Sequence, residues 1–296
     1  MGRVIDGFTF FNELDVLELR LGELYDVVDQ FILVEATQTF TGGAKALFYS
    51  DNKERFSAFA DKITHVIVSD MPEDAPSAWT REYHQRDAIG RGLPNGAPDD
   101  LILVSDVDEI PKPEALEAAR ADKRSQYGLT WFGTDIFRYR LNYKDDVNDQ
   151  TSCPRMIARR HFRGAQNLRR ERVIRSRSAP KFLEGLMWHA SALRKYGRPM
   201  HRIIRPSSSW HFSYLGNMDK VLTKVAAYSH TEHMNDAYLG RAERTLKRLD
   251  TGDGGSKLID KNSPELPRYF RENFDRFSDL YVEPQLKEAA TTRIDR

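Results

Sequence analysis

At 296 residues, 40% hydrophobic and 30% charged, the chain is large enough for one α/β domain with an appendage and too apolar to be disordered. Its formal net charge of +1 gives no reason to expect nucleic acid or an anionic membrane as partner, although peripheral membrane contact stays open. The lone Cys153 excludes an intrachain disulfide, no signal-peptide core follows Met1, and no run of about 18 apolar residues offers a transmembrane helix, so a soluble, cytoplasmic setting is expected.

Residues 3–11 read as a first strand. Asn12 is the expected N-cap of an amphipathic helix that carries Leu14, Leu17, Leu21 and Leu24 at helical spacing, with Asp15 in its first turn. Residues 31–36 form a second buried strand, which makes the first 36 residues a βαβ unit with an expected right-handed crossover. Glu35 stands near the end of that strand, and residues 37–43, beginning with Thr37, follow as a polar loop. Open α/β sheets bind ligands beyond the carboxyl ends of their strands, so this loop is either a wall of a ligand site or an ordinary connection. A helix over 51–60, a strand over 63–68 and a helix over 78–91 come next. The last has Trp79, Tyr83 and Ile89 on one face and Arg81, Glu82, Gln85 and Arg86 among the polar residues of the other.

Leu101-Ile102-Leu103-Val104 reads as a strand buried on both faces, and it runs into Asp106, Asp108 and Glu109 before Pro111 and Pro113 end any pairing. Asp106 and Asp108 point the same way if the backbone stays extended. Two anions so close repel unless a cation lies between them, and oxygen donors favour a hard ion such as Mg²⁺ or Mn²⁺. The competing reading is a solvated acidic turn after a core strand.

Beyond this point the alternation is less regular. A helix over 113–120, a hairpin within 127–143 and a strand over 154–160 are expected. Residues 155–177 hold nine arginines, suited to phosphate or carboxylate but also to a solvated face, and without the aromatic interleaving of an RNA-binding arm. Two Trp-His pairs, Trp188-His189 and Trp210-His211, lie among apolar residues, where a histidine is either a satisfied core residue or a ligand. Helices are expected around 221–225 and 238–249. The glycine-rich stretch 251–256 lacks the Gly-Lys-Ser/Thr ending of a P-loop. The aromatic tail from Tyr269 to Tyr281 is expected to fold back on the domain.

Four stretches resemble glycosyltransferase family 17: residues 6–15 (Asp-Gly-Phe-Thr-Phe-Phe-Asn-Glu-Leu-Asp), 31–36, 104–111 (Val-Ser-Asp-Val-Asp-Glu-Ile-Pro) and 209–214 (Ser-Trp-His-Phe-Ser-Tyr). The resemblance implies a GT-A-like three-layer α/β/α nucleotide-sugar-binding fold with a mainly parallel central sheet. The catalytic domain would span 1–216, its nucleotide half to about 125 and its acceptor half beyond, with a helical extension over 217–296. It further implies a UDP-sugar donor (UDP-GlcNAc in characterised members), a divalent metal, Mn²⁺ or Mg²⁺, and inversion at the anomeric carbon. Animal members carry a membrane anchor and stem before the catalytic domain. This sequence begins at that domain, so a glycan or glycolipid of polysaccharide synthesis is expected as acceptor rather than a protein N-glycan.

In this reading Asp108 is the first metal ligand, with Asp106 reaching the metal through water or holding the ribose, and His211 completing the shell. Glu35, Thr37, Arg86 and Asp106 are expected to touch the nucleotide. An inverting transfer needs a base, typically worth about 10²–10⁴-fold in rate. The candidates are Glu184, chosen for its apolar setting, and Asp135, with Asp145 and Asp146 behind them. A metal-dependent phosphohydrolase of the haloacid-dehalogenase type and a non-catalytic nucleotide- or glycan-binding protein remain as alternatives.

Overall fold

In this computed structural model, which describes residues 2–149, 153–171, 181–228, 235–251 and 257–284, the alternating apolar runs of the first hundred residues fold as read. They give β1 (Val4–Phe10), α1 (Leu14–Leu24), β2 (Gln30–Ala36), α2 (Phe48–Asp51) followed by a 3-10 helix (Lys53–Lys62), β3 (Ile63–Val68), α3 (Ala78–Asp87), α4 (Ile89–Gly92) and β4 (Leu101–Asp106). Then come β5 (Glu109–Pro111), α5 (Pro113–Ala121), β6 (Gly128–Arg138), β7 (Lys144–Asp149), β8 (Arg155–Ala158), α6 (Ala165–Arg169), α7 (Lys181–Tyr196) and β9 (His201–Ser213). The C-terminal part holds α8 (Met218–Ala227), α9 (Asp236–Asp250), α10 (Arg268–Glu272) and a 3-10 helix (Phe274–Leu280).

Four expected elements differ in detail. The helix expected over 78–91 is two helices, α3 and α4, and within 127–143 only β6 forms a strand, its antiparallel partner β7 beginning at Lys144. The helix expected over 51–60 is split at Asn52, whose φ of −120° lies outside the helical region, and continues as a 3-10 helix. Asn12 does not cap α1. The N-cap position is Glu13, whose carboxylate instead turns back to accept from the amides of Phe11 and Asn12.

One sheet runs in the order β3-β2-β1-β4-β8-β6-β9-β5, with β7 on β6. The first four strands are parallel, and β9 lies parallel to β6 over most of its length. The antiparallel contacts, β4 with β8, β6 with β7 and β8, and β5 with β9, are shorter. Period-two alternation decides which layer each side chain enters. From β4, Leu101 and Leu103 join Leu17, Leu21, Leu116, Phe270 and Phe277 on one face. Ile102 and Val104 join Ala88, Ile89, Leu168 and Trp188 on the other. Helices on both faces of a largely parallel sheet make the three-layer α/β/α arrangement. A third cluster packs Val221, Val225, Leu246 and Leu249 of α8 and α9 against Tyr139 and Tyr143.

This topology places the site. β1 lies between β2 and β4, where strand order reverses, and such a switch point opens a crevice beyond the strand ends. Thr9 stands beside Asp106 in the register of β1 and β4, and Glu109 beside His211 in that of β5 and β9. The two motifs, a hundred residues apart in the chain, meet at one end of the sheet.

Candidate active site at the strand ends

The Asp-Val-Asp-Glu tip is buried and held by cations of the chain itself. Asp106, facing the second layer, accepts at Oδ1 from the Thr9 hydroxyl (3.2 Å) and Arg86 (3.1 Å), and at Oδ2 from Arg169 (3.2 Å). Burial alone would raise its pKa, but the guanidiniums of Arg86 and Arg169 outweigh it and hold the carboxyl below its ordinary range. Arg169 also forks onto Glu109 through two bonds of 2.8 and 2.9 Å. Asp108 turns elsewhere. Its Oδ2 accepts from Lys224 Nζ of α8 at 2.7 Å, and its Oδ1 faces His211 Nε2 at 3.8 Å. Lys224 lies 2.9 Å from Glu13 as well, so one ammonium joins two carboxylates. Burial opposes its charge, yet Asp108 and Glu13 keep it protonated with a pKa well above the usual lysine range.

The expectations for the metal ligands divide. The structure brings His211 to Asp108, as read, while Asp106 faces guanidinium groups rather than His211. Among the described residues no group of three or more His, Cys, Asp or Glu side chains is placed to hold a metal. A Mg²⁺-like ion needs no such cage, because one or two side chains with substrate phosphates and water complete its shell. Asp108 Oδ1 and His211 Nε2 supply two donors for such an ion. His211 Nδ1 is buried without a hydrogen-bond partner among the described residues, so nothing there fixes the tautomer and Nε2 is available as a donor. The donor set fits one hard divalent ion.

Beside the tip, a pocket of about 450 Å³ with its open mouth included is lined by the ends of β1 and β4, the loop after β2 (Gln38, Thr39, Phe40), Lys45, and Ala227 and Tyr228 of α8 and its end. Loop and helix are tied together, since Phe40 N donates to Ala227 O and the Thr41 hydroxyl to Ala226 O. The residues expected at the nucleotide take different places. Thr37 is not part of this lining; its amide and hydroxyl turn to Val68 O. Glu35 is fully buried below the pocket, accepting from the Tyr49 amide, within 3.1 Å of His65 Nε2 and 3.7 Å from Lys45. Lys45 reaches the pocket in its stead. Burial lowers its pKa against the opposing pull of Glu35. Arg86 reaches the tip through Asp106 and is held by Glu82 and Gln166.

Neither base candidate comes to the tip. Glu184 lies on α7 and pairs with Arg202 (3.7 Å), whose place in β9 is opposite Leu129, level with the start of β4. Arg202 precedes His211 by nine residues, up to about 30 Å of strand at about 3.3 Å per residue. Asp135 stands beside Trp210 in register, and period two turns it to the opposite face from His211, where Lys112 donates to it at 3.3 Å. Asp145 pairs with Arg138 and Asp146 with Lys257.

Glu13, Arg20, Arg169 and Lys224 were not among the expected site residues. Arg20 and Lys224 carried a signal, each a charge three residues after an apolar position of its helix (Leu17, Val221) and thus on the buried stripe. Arg169 was one of nine arginines with nothing to single it out. Of those nine, Arg172, Arg175 and Arg177 lie outside the described residues, as does most of the glycine-rich stretch. His189 of the first Trp-His pair is exposed on α7, whereas Trp188 packs edge-on against Trp131.

Residues 1–128 match the sequence model of glycosyltransferase family 17. The chain is 31% identical over 320 aligned positions to the human β-1,4-mannosyl-glycoprotein 4-β-N-acetylglucosaminyltransferase, an alignment covering 98% of this chain and 57% of that enzyme. The rat enzyme of the same name is 31% identical over 117 positions, 37% of this chain and 22% of that one. The chain therefore spans little more than half the length of the human relative. Among solved structures, glucosyl-3-phosphoglycerate synthase from Mycobacterium tuberculosis, in complex with Mn²⁺, UDP and glucosyl-3-phosphoglycerate, aligns with a TM-score of 0.37 and 12% identity, covering 71% of this chain and 72% of that one.

Proposed function

The chain is related to glycosyltransferase family 17, and from that premise we propose that it is a metal-dependent inverting glycosyltransferase moving a sugar, GlcNAc first among the donors to try, from a UDP-sugar to a glycan or glycolipid acceptor. The observation that carries the reading is the buried tip of β4 at the switch point, where Asp108 faces His211 beside a pocket framed by Phe11, Phe40 and Lys45.

The chemistry asked of such a site is to stabilise charge on a departing diphosphate. A divalent ion held by Asp108 and His211 would supply Lewis-acid stabilisation of that charge. The chain's own residues do the rest. Arg169 and Arg86 fix Asp106 and Glu109, so the tip is rigid before substrate arrives. Lys45 puts a cation into the pocket wall where an anionic donor would lie, and Lys224 holds Asp108 in place. Tyr228 and the end of α8 form one wall of the pocket. The phosphohydrolase alternative needs one of the two aspartates as a nucleophile, and both are engaged, Asp106 by two guanidiniums and Asp108 by an ammonium.

The deciding measurement is calorimetric binding of UDP with Mn²⁺, alongside UDP release from UDP-GlcNAc. Asp108→Asn is expected to abolish Mn²⁺-supported UDP binding while leaving the fold intact. Undiminished binding in that variant, or none by the wild-type protein, would remove the ground for the assignment.

A further inference from the structure

On the far side of Glu13 and Lys224 from the donor pocket lies a second cavity, about 810 Å³ of empty space with its mouth included. Asn12, Glu13, Asp15, Arg55, Tyr214 and Lys220 are among its walls. Acceptors, donors and an aromatic face in one cavity suit a polyhydroxylated ring, whose hydroxyls need hydrogen bonds and whose C–H face needs an apolar partner. Tyr214 holds a left-handed backbone (φ 55°), a conformation unfavourable for a non-glycine residue and one that gathers at functional walls.

Glu13 is the element the two cavities share, since it lines both. Its carboxylate is fixed from two sides. Oε2 accepts from the amides of Phe11 (3.3 Å) and Asn12 (3.1 Å), and Oε1 lies 2.9 Å from Lys224, whose ammonium is 2.7 Å from Asp108. A carboxylate is thus held at the partition between donor pocket and second cavity, where neither Glu184 nor Asp135 reaches.

We propose that Glu13 is the catalytic base, taking the proton of a hydroxyl that enters through the second cavity. This rests on the glycosyl-transfer reading above. In the step, the O–H bond of the acceptor breaks and its proton passes to Glu13 while the hydroxyl oxygen bonds to the anomeric carbon. The bond from that carbon to the diphosphate oxygen breaks, and its electron pair leaves with the diphosphate. The products are the inverted glycoside and the nucleoside diphosphate, and Glu13 returns its proton to water.

The test uses the whole chain, UDP-GlcNAc with Mn²⁺, water as the acceptor, and azide as a nucleophile that carries no proton. Glu13→Gln and Glu13→Ala are expected to slow UDP release by about 10²–10⁴-fold in protein that still binds UDP. Azide is expected to restore turnover in Glu13→Ala, giving the glycosyl azide of inverted configuration. A merely structural role for Glu13 would not respond to azide. Hydrolysis persisting in Glu13→Ala, or azide failing to restore it while UDP still binds, overturns the assignment. A wild-type protein that binds no UDP overturns the donor reading, and this assignment with it, through a calorimetric result distinct from both.

Discussion

Arg20 sets the shape of the tip without touching the pocket. Its side chain is fully buried, as is that of Asp6, with which it pairs at 2.6 Å. Every nitrogen of its guanidinium donates: Nε to Asp6, Nη2 to Asp6 and the Ser105 hydroxyl, Nη1 to the carbonyls of Asp106, Val107 and Glu109. The backbone of the acidic turn is therefore held by one planar fork, a geometry lysine cannot copy. Arg20→Met strands a buried carboxylate and three carbonyls, and is expected to cost about 3–5 kcal/mol. Arg20→Lys should recover only a part. The check is the urea midpoint at constant slope, with Asp6→Leu added to Arg20→Met. The double variant should regain much of the loss, because the unpaired charge has gone. If Arg20→Met unfolds at the wild-type midpoint, the fork contributes nothing.

At the scale of elements, the seam between α1 and the C-terminal segment depends on one missing side chain. A Cβ on Gly22 would run into the ring of Tyr269, and beside it the Tyr269 amide donates to Glu23 at 2.7 Å. Gly22→Ala gains helix propensity of about 0.5–1 kcal/mol. Overpacking costs about 1–3 kcal/mol, so the net effect is destabilising. Gly90, in α4, has open space around its Cβ direction, and Gly90→Ala should be neutral or stabilising. Limited proteolysis reads the difference, with the segment around α10 cut sooner in Gly22→Ala and at the wild-type rate in Gly90→Ala. The same contrast between near and distant partners explains what the sequence showed. β1, α1, β2 and β3 were legible because each carries its own period and meets a neighbour close in the chain, and β4, whose partner β1 lies about a hundred residues away, because its unbroken apolar run marks a strand buried on both faces. β9 was not, because its long pairing with β6 spans a register shift and Pro206, and its tip meets β5 a hundred residues away. Asp106, Asp108 and His211 were readable as residue types in a motif. The base was not: Glu184 is buried, as its apolar run suggested, but that run is α7, which sets it beside Arg202, far along β9 from the tip. Glu13 was hidden in plain view before the first helix, since only the folded chain shows which cavities it divides.

For the whole molecule, the titration of buried groups predicts how acid unfolds it. His161 is buried in the 3-10 turn after β8, and burial first, then Arg198 and Arg160, lowers its pKa below the ordinary 6.5. The folded state then binds fewer protons than the unfolded one as pH falls past 6.5, and stability follows the proton difference. The contribution of His161 is complete above pH 6.5 and is lost as pH falls through its lower folded value. Asp100 and Asp106 follow the same sign lower down. Burial opposes both, but Arg3 in one case and Arg86 with Arg169 in the other hold them below the ordinary 3.8, so their contribution persists above that value and is lost beneath it. Two descents are therefore expected in the denaturant midpoint, one beginning near pH 6.5 and a steeper one below about pH 4. His161→Phe isolates the first. Nε2 of His161 has no hydrogen-bond partner among the described residues, so phenylalanine leaves none unsatisfied there, although it gives up the backbone bond to Gln126. Whatever that loss does to the absolute midpoint, the slope between neutral pH and the carboxylate range should flatten in the variant while the lower descent stays. A wild-type midpoint unchanged across the upper range would mean that His161 is solvated, and that the arginine-rich turn around it opens to water in solution.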